Sequence, residues 1–103
     1  MRVLLDENLP RPLIKQLRNH EYSTAQIQGW KAVENGELLG LIEQYKWDVF
    51  LTGDKNLRYQ QNLSSRQVAI IELPTNRWPI LRRMIEPIQK AIDSALPGAY
   101  IIV

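Results

Sequence analysis

The stretches Val3-Leu4-Leu5-Asp6-Glu7-Asn8 and Val49-Phe50-Leu51-Thr52-Gly53-Asp54-Lys55-Asn56 decide the fold of this 103-residue chain. Each is a continuous apolar run that ends in carboxylates, the pattern of a strand buried on both faces with charge at its carboxyl end. In an open parallel α/β sheet that edge is where ligands bind, so Asp6 and Asp54 are candidates for one shared site.

Helical and extended patterns alternate around these two runs. Asn8 offers an N-cap and Pro10 sits near the first turn. Leu9, Leu13 and Leu17, spaced by four, then predict a first helix running to about His20. Tyr22-Ser23-Thr24-Ala25 reads as a weak second strand and 26–31 as a loop. Asn35-Gly36-Glu37 opens a second helix, with Asn35 as its N-cap and Leu38, Leu39, Leu41, Ile42 and Tyr45 as its apolar face. Trp47 to Thr52 is the third strand, Asn56 to Ser65 a short helix and loop, and Val68 to Leu73 the fourth strand.

Thr75, Asn76 and Pro79 signal another helix start, and Trp78, Leu81, Ile85, Ile88, Ile92 and Ala95 follow at spacings of three and four. Pro87 falls inside this stripe and should kink or split the helix, because it lacks the amide hydrogen and clashes with the preceding turn. Pro97-Gly98 ends it, and Tyr100 to Val103 reads as a final strand. The order β-α-β-α-β-α-β-α-β predicts an α/β fold with a mostly parallel sheet and helices on both faces. Residues 1–103 read as a single domain with no repeat or linker.

Composition narrows the function classes. Thirteen Lys and Arg against eleven Asp and Glu leave a net charge of only +2, too little to imply a nucleic-acid partner by itself. The halves differ: residues 1–52 carry net −1 and residues 53–103 net +3, weakly compatible with an anionic substrate. The absence of cysteine excludes disulfides and thiolate metal sites. No apolar run approaches the roughly 20 residues that span a bilayer, and Arg2-Val3-Leu4-Leu5 turns acidic too soon for a signal peptide. The expectation is a cytoplasmic protein with no membrane partner.

Mg²⁺ is commonly held by one or two carboxylates plus waters and substrate phosphates, so Asp6 and Asp54 suffice if their strands are neighbours. The competing reading is that Asp6 caps the first helix and Asp54 the turn after the third strand. Glu7 would point away from Asp6 and can be a solvated or first-turn carboxylate. Glu37 can be a ligand or a favourable charge at the positive end of a helix dipole. Lys55, Arg58 and Arg11 lie beside the acidic segments, where they can hold phosphates or be solvated. The lone His20 sits where the first helix should end, which leaves a nucleophilic triad or a His-based zinc site unsupported, and the five glycines form no phosphate-cradling loop. Trp30, Trp47 and Trp78 can stack on bases or fill the core.

A resemblance goes further than these patterns. Leu4-Leu5-Asp6-Glu7-Asn8-Leu9-Pro10, Gly29-Trp30 with Glu34-Asn35-Gly36-Glu37-Leu38-Leu39, the run from Asp48 to Leu57, and Tyr59-Gln60-Gln61-Asn62-Leu63 resemble the short bacterial PIN-like proteins. The similarity continues through Thr75-Asn76-Arg77 to the last strand. It implies a Rossmann-like PIN-type sandwich with about five strands, related to PIN ribonucleases and to the VapC-type toxins of toxin-antitoxin pairs. It also implies acidic residues gathering Mg²⁺ or Mn²⁺, RNA as substrate, and a small antitoxin protein as partner.

Carried onto this chain, Asp6 matches the first-strand aspartate and Asp54 the aspartate after the later strand. Related sequences often carry Asp where this chain has Asn35, which leaves Glu37 as the nearest carboxylate. They commonly carry Asp where it has Asn56. Neutral amides hold Mg²⁺ more weakly, although an Asn carbonyl can still ligate it.

Three expectations follow. The first is a metal-dependent ribonuclease in which Asp6, Glu37 and Asp54 are catalytic and hold the ion, with Asn8, Asn35, Asn56, Lys55, Arg58 and Arg11 around the substrate. The second is a catalytically weakened PIN-like module that binds nucleic acid or a protein partner. The third is a structural or interaction role, such as a homodimer through the long apolar helix.

Overall fold

The computed structural model describes residues 1–59 and 66–103. Five strands form one sheet: β1 (Arg2–Leu5), β2 (Glu21–Thr24), β3 (Val49–Thr52), β4 (Ala69–Glu72) and β5 (Tyr100–Ile102). Their order is β2-β1-β3-β4-β5 and every neighbouring pair is parallel, so the predicted α/β class holds and the sheet is wholly parallel. The chain first winds from β1 outward to β2 and then crosses back to β3 on the other side. The β1/β3 boundary is thus the switch point, where crossover connections leave in opposite directions and open a crevice at the carboxyl edge.

The continuous apolar runs are explained by cover on both faces. Val3, Leu5, Val49, Leu51, Ala69 and Ile71 point to one face and pack with Leu9, with α1 (Arg11–Gln16), α3 (Trp78–Leu81) and α4 (Ile85–Asp93). Leu4, Phe50 and Ile70 point to the other, onto Leu38, Leu39 and Ile42 of α2 (Asn35–Gln44), Trp47, and Leu57 of the 3₁₀ turn Lys55–Tyr59. The alternation is the period-two geometry of a strand, with oil on both sides instead of one.

Several boundaries differ from the sequence reading. The first helix stops at Gln16, because Leu17 adopts extended dihedrals (φ −89°, ψ 148°) while its side chain stays buried. Asn8 is exposed in the preceding turn, and Pro10 is the N-cap. Glu34, not Asn35, occupies the cap position of α2. The long apolar stripe is two helices, but the break falls at 82–84, ahead of Pro87. Pro87 is the third residue of α4, where its missing amide hydrogen would have had no intrahelical acceptor anyway. Leu81, Ile88 and Ile92 are fully buried, so the stripe's apolar face is spent on this chain's own sheet. Most of the loop expected up to Ser65, and most of the Tyr59-to-Leu63 resemblance, lies outside the described residues.

The amino edge is closed by polar contacts. Buried Gln89 accepts from the Arg18 amide (2.9 Å) and donates to the Arg18 carbonyl (2.9 Å), pinning the exit of α1 to α4. His20 Nε2 meets Asp93 Oδ1 at 2.7 Å and its Nδ1 accepts from the Met1 amino group at 3.2 Å. Among the described residues, no helix is long and apolar enough to cross a membrane.

Candidate functional site at the carboxyl edge

Period two carries the Leu4, Phe50 and Ile70 face onward to Asp6, Thr52 and Glu72 at the ends of three adjacent strands. All three are buried, at 7%, 0% and 1% exposure. A row of polar side chains therefore lies under the carboxyl edge on the α2 side of the sheet. Each needs internal partners, since burying an unsatisfied polar group costs about 1–3 kcal/mol.

Thr52 supplies the link between the two acidic segments. Asp6 extends the β1 ladder by donating its amide to the Leu51 carbonyl (2.9 Å), which sets its carboxyl beside Thr52. The Thr52 hydroxyl donates to Asp6 Oδ2 (2.8 Å) and accepts from the Asp54 amide (3.0 Å). Asp54 Oδ1 in turn accepts from the Asn56 amide (2.9 Å), so Asp54 does cap the 3₁₀ turn. Gly53 permits this course: a Cβ there would come within 3.3 Å of the Thr75 carbonyl oxygen and 3.6 Å of Asn76 Cβ. Thr75 and Asn76 are thereby packed against the turn that carries Asp54.

Burial raises the Asp6 pKa above its ordinary value of 3.8, against the Thr52 and Glu7 backbone hydrogen bonds that lower it, and the charges of Glu7 and Asp54 add to the rise. Asp6 makes no ion pair among the described residues. Its carboxyl is accordingly held in place but left without a counter-charge.

Glu72, two strands away in the same row, has the opposite surroundings. Arg58 forks onto it, with Nε donating to Oε1 (3.2 Å) and a terminal nitrogen to Oε2, and the Tyr100 hydroxyl donates to Oε1 (2.8 Å). Desolvation works to raise the Glu72 pKa, yet the hydrogen bonds from Arg58 and Tyr100 outweigh it and the net shift is downward from 4.5. Burial and the neighbouring Glu72 carboxylate push the Tyr100 hydroxyl upward. The Arg58 guanidinium, a phosphate candidate on sequence, thus has its fork turned to Glu72.

The remaining candidates are scattered around this edge. The Glu7 carboxylate accepts the Ala32 amide through both oxygens (3.2 and 3.3 Å) and fastens the loop after β2. Glu37 is exposed on the first turn of α2 and is not among the charges that act on Asp6. Asn35 is the first residue of that helix. Lys55, Asn56, Asn8 and Arg11 are exposed, and Lys55 adds to the positive field at Glu72. Trp47 is buried under the Arg2 guanidinium, 4.2 Å from its ring, and Trp30 lies 5.4 Å from Tyr45, so both serve packing.

Sequence reasoning overlooked Thr52 and Glu72. Their signal is a polar residue closing an apolar run, Phe50-Leu51-Thr52 and Ile70-Ile71-Glu72, at matching strand positions. That match becomes visible only with the register.

The donor set can be tested against a divalent cation. No group of three or more His, Cys, Asp or Glu side chains suited to a metal is assembled among the described residues. The Thr52 hydroxyl ties the Asp6 carboxylate to the Asp54 backbone amide, and the Asp54 charge adds to the upward shift of Asp6. A hard divalent cation that keeps its waters and completes its shell with substrate phosphate needs only one or two carboxylates from the protein.

The fold and the edge define an open, doubly wound α/β protein with an acidic switch point. Compared with family models, with curated proteins and with solved structures, the chain matches none.

Proposed function

We propose that the chain is a metal-dependent ribonuclease of PIN type, acting on RNA phosphodiesters at the β1/β3 switch point. The observation that supports it is the Asp6–Thr52–Asp54 linkage: one buried hydroxyl donates to the Asp6 carboxylate and accepts from the Asp54 backbone amide, and Asp6 makes no ion pair among the described residues. Asp6 and Asp54 would hold Mg²⁺ or Mn²⁺. When bound, the ion would supply an activated water at neutral pH and charge neutralisation at the departing oxygen. Thr52 keeps Asp6 oriented and Asn56 keeps Asp54 oriented through its amide. Lys55 and Arg11 line the approach as exposed cations for phosphate. As the resemblance implies, a small antitoxin protein would be the partner, and the setting would be cytoplasmic.

A catalytically weakened module that binds nucleic acid or protein is the second reading, favoured by one observation: Asp54 already spends Oδ1 on capping its turn. The two separate on incubation of a single-stranded RNA with Mn²⁺. Cleavage that stops with chelator and with Asp54→Asn supports the nuclease. Intact RNA that is nevertheless bound, equally by wild type and variant, supports the module.

A further inference from the structure

We infer that a cleft on the other side of the Asp6 turn is a nucleoside subsite of the same RNA site, an inference that rests on the ribonuclease reading. The cleft has a volume of about 390 Å³ and lies between α1 and the segment that follows β2. Ligand pockets of this size are usually apolar with a few placed polar groups. Its wall is aliphatic, from Leu5, Leu9, Ile14 and Ile27, and Ile27 is 73% exposed. Arg11 and Lys15 stand on the rim, four residues apart on α1, which brings their Cβ atoms to about 5–6 Å. Neither side chain makes an ion pair or hydrogen bond among the described residues.

The cleft is built on the backbone that carries the acidic site. Leu9 donates its amide to the Asp6 carbonyl (3.1 Å), Ala25 donates to the Leu5 carbonyl (3.0 Å), and the Gln26 side chain reaches the Glu7 carbonyl (3.4 Å). Leu5 and Asp6 are consecutive at the carboxyl end of β1 and Leu9 is bonded to the Asp6 carbonyl, so an RNA strand that crosses this edge with a phosphate at Asp6 passes its neighbouring nucleoside over Leu5 and Leu9. The aliphatic wall takes the sugar and base face, and Arg11 and Lys15 take the phosphate that follows. The polar side chains of the lining, Thr24 and Gln26, already bond the Ile27 amide and the Glu7 carbonyl, so the subsite reads base identity only weakly. Continuity with the acidic turn favours substrate over an acidic peptide for this cleft.

The test is metal-free, so that it does not depend on cleavage. Methyl NMR with 5′-AMP should shift Leu9, Ile14 and Ile27. Binding of a uridine decamer by Arg11→Gln/Lys15→Gln should weaken, and the slope of log affinity against log salt should shrink by about 1.4, the share of two single-strand phosphate contacts. Ile27→Asp should abolish the AMP shifts at Ile14. All three side chains are at the surface, so the variants keep the fold. Unmoved methyls together with an unchanged salt slope would overturn the subsite. So would methyl shifts caused by a blocked Asp-Glu-Leu-Glu-Asp peptide but not by AMP. AMP binding here without RNA cleavage leaves the subsite standing and removes the nuclease reading; cleavage by the double variant at wild-type rate and affinity does the reverse.

Discussion

Asp6 and Glu72 are two buried carboxylates in one row, on one face of one sheet, yet their surroundings push them in opposite directions. Glu72 is encircled by an arginine fork and a tyrosine hydroxyl, and its pKa falls from 4.5. Asp6 has a single threonine hydroxyl and a backbone contact against its desolvation, and its pKa rises from 3.8. Burial is shared; the counter-charge is not. A carboxylate with its cation built in is structure, whereas the proposed metal site rests on the one that has no ion pair among the described residues.

Substitutions can break this contrast, and the largest effect should come from the compensated side. Glu72→Ala strips Arg58 and Tyr100 of their shared acceptor. Removing one partner of a buried pair costs 3–5 kcal/mol, and since the Arg58 side chain is 37% exposed the loss should be about 3 kcal/mol in denaturant unfolding. Glu72 should also mark acid unfolding. Its lowered pKa contributes stability that is present above about 4.5 and lost as pH falls through the folded value, so Glu72→Gln should flatten that limb.

Thr52→Val keeps shape and removes the hydroxyl, leaving Asp6 and the Asp54 amide short of a partner in the interior. About 2 kcal/mol of stability should go and, under the proposed function, RNA cleavage with it. Tyr100→Phe deletes one of the bonds to Glu72 and should cost about 1 kcal/mol, with the proposed cleavage unaffected.

The smallest effect carries the opposite sign. Because the folded state holds the Asp6 proton more tightly than the unfolded chain, stability falls as pH rises from about 3.8 through the raised folded value. Asp6→Asn removes that penalty. It should therefore be more stable than wild type at neutral pH in thermal unfolding, and the advantage should vanish in acid. A variant less stable than wild type at pH 7 would mean that Asp6 is compensated after all.

Much of this was legible in the chain. The runs Val3-Leu4-Leu5 and Val49-Phe50-Leu51 announce strands covered on both faces, and a strand that ends in Asp tells which edge carries charge. Helix limits were not legible, because side-chain periodicity survives a change of backbone. Leu17 remains in the core after α1 has ended, and Leu81 and Ile88 enter the same core from either side of the break at 82–84. The link between the acids was hidden too. Thr52 meets Asp6 across 46 residues of chain, and Arg58 is removed from the list of open cations only by a glutamate 14 positions on. Such pairings are set by strand register, which no local spacing records.

The most direct measurement is the anomalous density of Mn²⁺ soaked at millimolar concentration into crystals of the wild-type chain. A peak within coordinating reach of both Asp6 and Asp54, lost in Asp6→Asn, is the result predicted. Bare density between these two carboxylates, or a peak elsewhere, would contradict the switch-point site.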